Sequence, residues 1–235
     1  MPRDLCQEIQ EIAAFLVQKG WAERNAGNFS YRLDSECFDE FRYRTDLEKG
    51  IDTGGSVDAL LISVGNSKFR DVAKDPLAHC GIVLCEGDKL SFLSTREGVK
   101  PTSELSSHLL IHQYLATNSP VKKAVLHSHP TYLIAFSHKY YDYTKERLNE
   151  LLADIMPEVS FYIPRGTGFV ELLTPGSNEL AQETIKELAN HDVVVWKKHG
   201  CLAVAETLWD AVDMMDILDK AALVRMMNSE IGIRN

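Results

Sequence analysis

Two histidines stand two residues apart, where an apolar run ends in front of a proline. His127 and His129 follow Val125 and Leu126, which we interpret as the end of a buried strand, and Pro130 suits the first turn of a helix. Because side chains of a strand alternate between faces, the two imidazoles should point the same way. Neutral imidazole nitrogens are ligands that Zn²⁺ prefers. The pattern predicts two ligands of a metal site, although two surface histidines remain the alternative.

A third histidine and a glutamate occur at similar junctions. His199 comes just after the predicted strand of residues 192–196, and the glycine beside it lets a backbone or a ligand approach. Glu104 stands at a predicted helix start, capped by Thr102 or Ser103, where the helix dipole favours a carboxylate. Three imidazoles leave one position on Zn²⁺ open, which is typical of catalytic rather than structural sites. For Glu104, an ordinary helix-start role is the alternative.

Two short turns rich in glycine and asparagine could bind an anion. The first contains Asn25, Gly27 and Asn28, and the second contains Gly65 after a short apolar strand. Glycine and asparagine tolerate positive φ, so such turns can aim several backbone N–H groups at one point. An ordinary turn without a ligand is the alternative, and the residues alone favour it.

Two further histidines lie one helical turn apart in the helix that follows Glu104. His108 and His112 are spaced i, i+4 and could share a metal, but no glutamate of an H-E-x-x-H motif lies between them, and their neighbours are apolar. We therefore interpret both as packing or hydrogen-bonding histidines.

The elements that must position these residues follow from hydrophobic periodicity. Residues 5–17 and 208–227 carry apolar side chains at helical spacing, and Gly20 is a C-cap candidate. Residues 34–57 are polar and predict a loop with at most one irregular strand, and residues 164–168 predict a turn. Alternation predicts a strand at residues 29–33. Short apolar runs predict strands at residues 59–64, 81–85, 89–93, 125–126, 159–163, 192–196 and 201–205.

Composition limits the class of protein. The 235 residues are 45% hydrophobic, which fits one domain spanning residues 1–235 with a substantial core. A net charge of −9 argues against a nucleic-acid partner. The five cysteines form no C-x-x-C pair and predict reduced thiols in the cytoplasm. No apolar run is long enough to cross a membrane, and acidic residues near the N-terminus argue against a signal peptide, so no membrane partner is expected.

Four motifs in order along nearly the whole chain resemble those of the class II aldolase/adducin family. They are similar to its N-x-G-N phosphate turn, its S-E motif, its H-x-H-P pair and the H-G of its third ligand, at residues 25–28, 103–104, 127–130 and 199–200. Shorter runs resemble the members that cleave L-rhamnulose 1-phosphate, at residues 22–25, 101–105, 156–158 and 175–180.

This resemblance implies an α/β fold of three layers, α/β/α, with a mainly antiparallel central sheet. It implies a homotetramer with sites at subunit interfaces, and one Zn²⁺ per subunit bound by His127, His129, His199 and, at rest, Glu104. Glu104 would then leave the metal and transfer a proton, and Glu158 would reach the site of a neighbouring subunit. The residues implied to hold the substrate phosphate are Asn25, Gly27, Asn28, Gly65 and Ser103.

The implied activity is zinc-dependent cleavage of a ketose 1-phosphate, with L-rhamnulose 1-phosphate as the expected substrate and dihydroxyacetone phosphate and L-lactaldehyde as products. Other members of the family are alternatives, namely an L-fuculose-phosphate aldolase, a pentulose-phosphate 4-epimerase or a methylthioribulose-phosphate dehydratase. A non-catalytic adducin-like binding module need not keep the three histidines and the glutamate, and a metallohydrolase would need no phosphate turn.

Overall fold

One mixed β-sheet organises the computed structural model, which describes residues 3–34, 38–47, 57–87 and 89–230. The strands are β1 (Asn28–Leu33), β2 (Tyr43–Asp46), β3 (Ala59–Ser63), β4 (Cys80–Glu86), β5 (Lys89–Ser94), β6 (Ala124–Ser128), β7 (Thr167–Val170), β8 (Val193–Trp196) and β9 (Gly200–Ala205). The helices are α1 (Arg3–Lys19), α2 (Phe69–Val72), α3 (Pro76–His79), α4 (Leu105–Asn118), α5 (Thr131–Lys139), α6 (Lys145–Ala153), α7 (Pro157–Tyr162), α8 (Asn178–Leu188) and α9 (Leu208–Glu230).

The strand order brings distant parts of the chain together at the centre of the sheet. The order is β2-β5-β4-β3-β1-β6-β9-β8-β7, and every pair is antiparallel except β7 with β8. In the β1–β6 pair Asn28 lies opposite His127, and in the β6–β9 pair Ser128 lies opposite Cys201. The central strands thus place the first predicted anion turn beside the predicted metal ligands.

Alternation along the strands produces two apolar faces. In β6, Leu126 packs in the core that includes α1, α5, α6 and α9, whereas its neighbour Val125 packs in the core that includes α4 and α8. A third cluster packs Leu109 of α4 against strands β3 to β5, for example through Leu60. Side chains that alternate every residue bury both faces of a sheet. The expected three-layer α/β/α fold with a mainly antiparallel sheet is confirmed.

The long terminal helices form as their periodicity predicts. Helix α1 ends at Gly20, whose φ of +74° is a left-handed conformation, and Trp21 N–H donates to the carbonyl of Leu16 at 3.0 Å. The apolar stripe of α9 is buried from Leu208 to Ala222. Within the described residues, no helix is long and apolar enough to cross a membrane.

The predicted strand at residues 159–163 is wrong, because these residues lie mainly in helix α7. Its β-branched and aromatic residues suggested a strand, but Pro157 opens a helix, and Val159 and Ile163 are the buried pair one helical turn apart. Strand β7, parallel to β8, includes residues predicted as a turn.

The short helices α2 and α3 had not been predicted. Strand β2 lies in the segment 34–57 that was predicted to be mostly loop, and residues 35–37 and 48–56 of that segment lie outside the described residues.

Candidate active site

Three histidines, from the end of one central strand and from the turn before its neighbour, meet at one end of the sheet. His127 is in β6, His129 follows it, and His199 lies in the turn between β8 and β9. Their ring centroids are 5.0 to 5.1 Å apart, and one ligand nitrogen of each ring lies within 4.8 Å of the others. Trp196 packs against His127, with ring centroids 4.4 Å apart. The arrangement could hold a divalent cation on its open side.

Hydrogen bonds set the tautomers of two of these rings. The Nδ1–H of His127 donates to the carbonyl of Cys201 at 2.9 Å, and that of His129 donates to the Glu23 carboxylate at 2.7 Å. Each bond leaves the lone pair on Nε2, as metal-binding imidazoles require. The Nδ1 of His199 is buried and has no hydrogen-bond partner in the described part of the chain. These residues therefore fit a metal ion.

Burial keeps two of the three rings neutral and ready to bind a cation. Burial, and then the neighbouring rings of His129 and His199, hold the pKa of His127 well below its usual range. Burial and the ring of His129 lower the pKa of His199 to about 4. Neutral imidazoles are the form that binds metals.

Gly200 allows the cluster to be this compact. A Cβ at this position would lie 2.6 Å from the carbonyl oxygen of Ser128, 2.9 Å from His129 and 3.0 Å from His127. The turn before it is tight, because Lys198 has a φ of +66° and His199 N–H donates to the carbonyl of Trp196 at 3.0 Å. Only a residue without a side chain fits between the two strand ends.

One cavity of about 810 Å³ joins the histidines to the predicted anion turns. All the predicted site residues except Glu158 line it. Glu158 is exposed at the start of α7 and does not line the cavity of its own protomer. The structure therefore gathers the predicted residues, with this one exception, around a single space.

The two anion turns differ in detail. Gly27 has a φ of +80°, and a Cβ there would lie 2.8 Å from the carbonyl oxygen of His127. The N–H of Gly65, by contrast, donates to the carbonyl of Lys100 at 2.8 Å, so it is not available as the phosphate donor we expected. A Cβ at Gly65 would lie 2.9 Å from the carbonyl oxygen of Pro101, so this glycine lets two segments of the cavity wall pack closely.

Glu104 occupies the N-cap position of α4 rather than its first turn. The helix begins at Leu105, and the Glu104 side chain makes no capping hydrogen bond. Neither Thr102 nor Ser103 is the N-cap residue, but the Thr102 hydroxyl accepts a hydrogen bond from the Glu104 N–H at 3.4 Å. The side chain lines the cavity but does not belong to the group of ligand atoms formed by the three histidines. Burial raises the pKa of its carboxyl group.

Several residues of the cavity had no motif to reveal them. Lys68, Arg96 and Lys100 line the cavity and bring positive charge to a chain whose net charge is −9. Glu23 supports His129. Sequence proximity was the available signal for three of them, because Lys68 follows the second turn, Lys100 precedes the run at 101–105 and Glu23 lies in the run at 22–25. Arg96 is brought to the cavity only by the fold.

The fold and this cavity define an α/β/α enzyme-like domain with a compact trihistidine centre beside a polar pocket. The family model described as "Class II Aldolase and Adducin N-terminal domain" matches residues 7–226, so the chain belongs to this family.

Individual relatives agree with this assignment. The chain is similar to the rhamnulose-1-phosphate aldolase of Bacteroides thetaiotaomicron, with 36% identity over 96% of this chain and 86% of that protein. It is similar to that of Listeria welshimeri, with 28% identity over 94% of this chain and 82% of that protein. The crystal structure of a sugar-phosphate aldolase from Thermotoga maritima aligns with a TM-score of 0.84 and 33% identity, covering 99% of this chain and 97% of that chain. The chain is a lyase of the class II aldolase type, and this family is metal-dependent.

Proposed function

We propose that the protein is a zinc-dependent aldolase that cleaves L-rhamnulose 1-phosphate into dihydroxyacetone phosphate and L-lactaldehyde. The observation that carries the proposal is that one cavity joins a compact trihistidine cluster, a buried glutamate and a glycine–asparagine turn. The similarity to proteins named rhamnulose-1-phosphate aldolase supports the choice of sugar.

His127, His129 and His199 would hold the zinc ion through neutral nitrogens. When bound, the ion supplies Lewis-acid stabilisation of negative charge on the substrate oxygens, worth several kcal/mol. The protein positions His127 and His129 in advance, through the Cys201 carbonyl and the Glu23 carboxylate.

Glu104 is proposed as the acid/base group. In the cleavage the bond between C3 and C4 breaks, the C4 hydroxyl loses its proton as the aldehyde forms, and C3 gains a proton to give dihydroxyacetone phosphate. A buried carboxyl group with a raised pKa retains a proton closer to neutral pH, which suits delivery to C3. Glu158 of a neighbouring subunit would assist at the C4 hydroxyl.

The substrate phosphate would lie against the glycine–asparagine turn, next to the histidines. Asn25, Gly27, Asn28 and Ser103 offer amide, hydroxyl and backbone donors, and Gly65 keeps the wall compact. The cationic side chains of the cavity wall would offset the negative charge of the whole chain.

A homotetramer with sites between subunits is part of the same proposal. Glu158 is exposed on α7, away from the cavity of its own protomer, and Phe161 and Tyr162 on the same helix are 76% and 60% exposed. Large exposed apolar side chains mark surfaces that pack against a partner. We also propose residues 1–235 as one catalytic domain and a cytoplasmic location, which fits the free cysteines among the described residues.

The test is release of dihydroxyacetone phosphate from L-rhamnulose 1-phosphate, with L-fuculose 1-phosphate as the matched substrate. We expect release that a chelator abolishes and added zinc restores, and no release by a His199→Ala variant. If dihydroxyacetone phosphate is released from L-fuculose 1-phosphate only, the proposed substrate is wrong and L-fuculose 1-phosphate replaces it. Release unaffected by the chelator would contradict the metal assignment.

A further inference from the structure

A buried chain of hydrogen bonds runs from helix α4 to the cavity. The Nε2 of His112 lies 2.8 Å from Ser30 Oγ, Ser30 Oγ lies 2.6 Å from Nδ1 of His108, and Nε2 of His108 lies 2.6 Å from Oδ1 of Asn28. Ser30 and His112 are fully buried, and His108 and Asn28 nearly so. The prediction that the two histidines are hydrogen-bonding residues is confirmed, and the chain ends on a residue of the anion turn.

The Ser30 hydroxyl has one proton, and among the described residues its partners are the two rings, so it donates to one ring and accepts from the other. All donors of the chain therefore point the same way. Burial lowers the pKa of His108 to about 3 and that of His112 well below its usual range, so each ring is neutral and carries one N–H. Either each hydrogen bond is donated in the direction from His112 to Asn28, or each is donated in the direction from Asn28 to His112. The first direction makes the Asn28 oxygen an acceptor, and the second makes its NH₂ group the donor to His108.

The far end of the chain decides between the two directions. The Nδ1 of His112 is buried and has no hydrogen-bond partner in the described part of the chain. If the hydrogen bonds are donated towards Asn28, the Nδ1 of His112 carries a lone pair that accepts no hydrogen bond. If they are donated towards His112, this Nδ1 carries an N–H that has no acceptor. Buried donors without partners are rarer than under-satisfied acceptors. The placement of Asn28 Oδ1 against His108 agrees with the first direction.

We propose that His108, with Ser30 and His112 behind it, is a positioning residue that fixes the side-chain amide of Asn28, so that its NH₂ group faces the cavity as a donor to an anionic group. An unsupported asparagine can rotate and present its carbonyl oxygen, which repels an anion. Asn28 is thereby kept in the one orientation that binds phosphate. This inference rests on the proposed function, because it assigns the anion to the phosphate of the substrate.

The orientation itself can be observed by neutron diffraction from crystals of the deuterated protein. We expect deuterium on Nε2 of both His108 and His112, none on their Nδ1 atoms, and the ND₂ group of Asn28 facing the cavity. Deuterium on Nδ1 of His108 would overturn the proposal.

The consequence for binding is tested by calorimetric titration of the zinc-free protein with inorganic phosphate, so that the metal itself binds none. In His108→Gln the longer side chain places its NH₂ group where Nε2 of the histidine was, so a donor to Asn28 remains. In His108→Asn the shorter side chain reaches only the position of Nδ1, so the donor to Asn28 is lost. We expect His108→Asn to weaken phosphate binding about tenfold and His108→Gln to stay within about threefold of the parent. His138→Asn, at an exposed histidine of α5, is the control and should change nothing.

Asn28→Asp separates this proposal from the phosphate site itself. A carboxylate has no proton to donate, so we expect this variant to lose more than about tenfold in phosphate affinity. If Asn28→Asp loses binding while His108→Asn binds like the parent, the positioning role is wrong and the phosphate site stands. If the parent binds no phosphate, the site and the inference both fail. If His108→Asn does not fold, the titration of His108→Gln and the neutron map still test the positioning role of His108.

Discussion

A residue that is not itself a predicted metal ligand orients one ring of the trihistidine cluster. Glu23 accepts a hydrogen bond from Nδ1 of His129 at 2.7 Å, although the two are 106 positions apart in sequence. Such carboxylate–histidine pairs orient a metal ligand and raise its basicity. Nothing in the spacing of Glu23 marked it as a partner of a histidine.

Replacing Glu23 should weaken zinc binding without removing a ligand. We expect Glu23→Ala to raise the dissociation constant for zinc about 10- to 100-fold, because His129 loses its orienting acceptor. Glu23→Gln, which keeps an acceptor oxygen, should lose less. Competition with a chromogenic chelator measures this, with Glu183→Ala on the surface of α8 as control. Equal affinities for Glu23→Ala and the parent would show that the pair is incidental.

The role of Glu104 is tested by an isosteric change. Glu104→Gln should retain zinc and fold, but its kcat should fall at least ~10²-fold, because the amide cannot transfer the proton. Steady-state kinetics together with metal analysis distinguish this from loss of the metal. Near-normal turnover would exclude Glu104 as the acid/base group.

His108 should make folding sensitive to acid. Its folded-state pKa of about 3 lies below its ordinary value of 6.5, so the unfolded chain binds a proton that the folded chain does not. Stability is therefore full above about pH 6.5 and is lost as the pH falls, by about 3 kcal/mol at pH 4.5 for this one group.

The His108→Gln variant removes this group while His112 remains in both proteins. Urea denaturation at pH 7 and pH 4.5 should show that the variant loses about 3 kcal/mol less than the parent between these values. Equal losses would mean that His108 is protonated in the folded protein.

At the scale of elements, the antiparallel β6–β9 pair holds the site. His127 and His129 continue from one strand, and His199 precedes the other, so the register of this pair sets the distances among the rings. A Cβ at Gly200 would lie 2.6 Å from the carbonyl oxygen of Ser128, so the two strands approach each other closely there.

Gly200→Ala should therefore disturb the cluster rather than only the turn. Its Cβ would meet backbone at 2.6 Å, so we expect loss of bound zinc and a destabilisation of about 1–3 kcal/mol, typical of overpacking. Gly87→Ala is the control, because its φ of +62° costs strain but nothing lies within 4 Å of a Cβ there. Metal analysis and thermal unfolding measure both. Full zinc content in Gly200→Ala would contradict the argument.

Sequence patterns predicted most elements because burial imposes local periodicity. Alternation identified β1, short apolar runs identified β6, β8 and β9, and helical spacing identified α1 and α9. The error at residues 159–163 arose where a run of β-branched and aromatic residues was short enough to fit either period. Packing decided in favour of α7, whose buried pair is Val159 and Ile163.

At the scale of the whole molecule, assembly is expected to complete the active site. Glu158 lies outside the cavity of its own protomer, so its proposed role requires a neighbouring subunit. Light scattering should show a tetramer, and a monomer at working concentration would contradict the shared site.

Mixed oligomers test that sharing directly. Glu158→Ala and His199→Ala subunits should each be nearly inactive alone. Co-expressed in equal amounts, they should regain about a quarter of the parent activity, because random assembly pairs an intact cluster with an intact Glu158 at that frequency. No recovery would place Glu158 outside the reaction.

The sequence by itself determined the chemistry that is available. It supplied three histidines at strand ends, a glutamate before a helix, and glycines where backbones approach, because residue type and short-range spacing are local properties. Only the tertiary structure decided which groups cooperate. It brought Glu23 to His129, gathered Lys68, Arg96 and Lys100 at the cavity, and linked α4 to Asn28 through buried hydrogen bonds. These contacts join residues far apart in the chain, and their geometry arises from the packing of helices on both faces of the sheet.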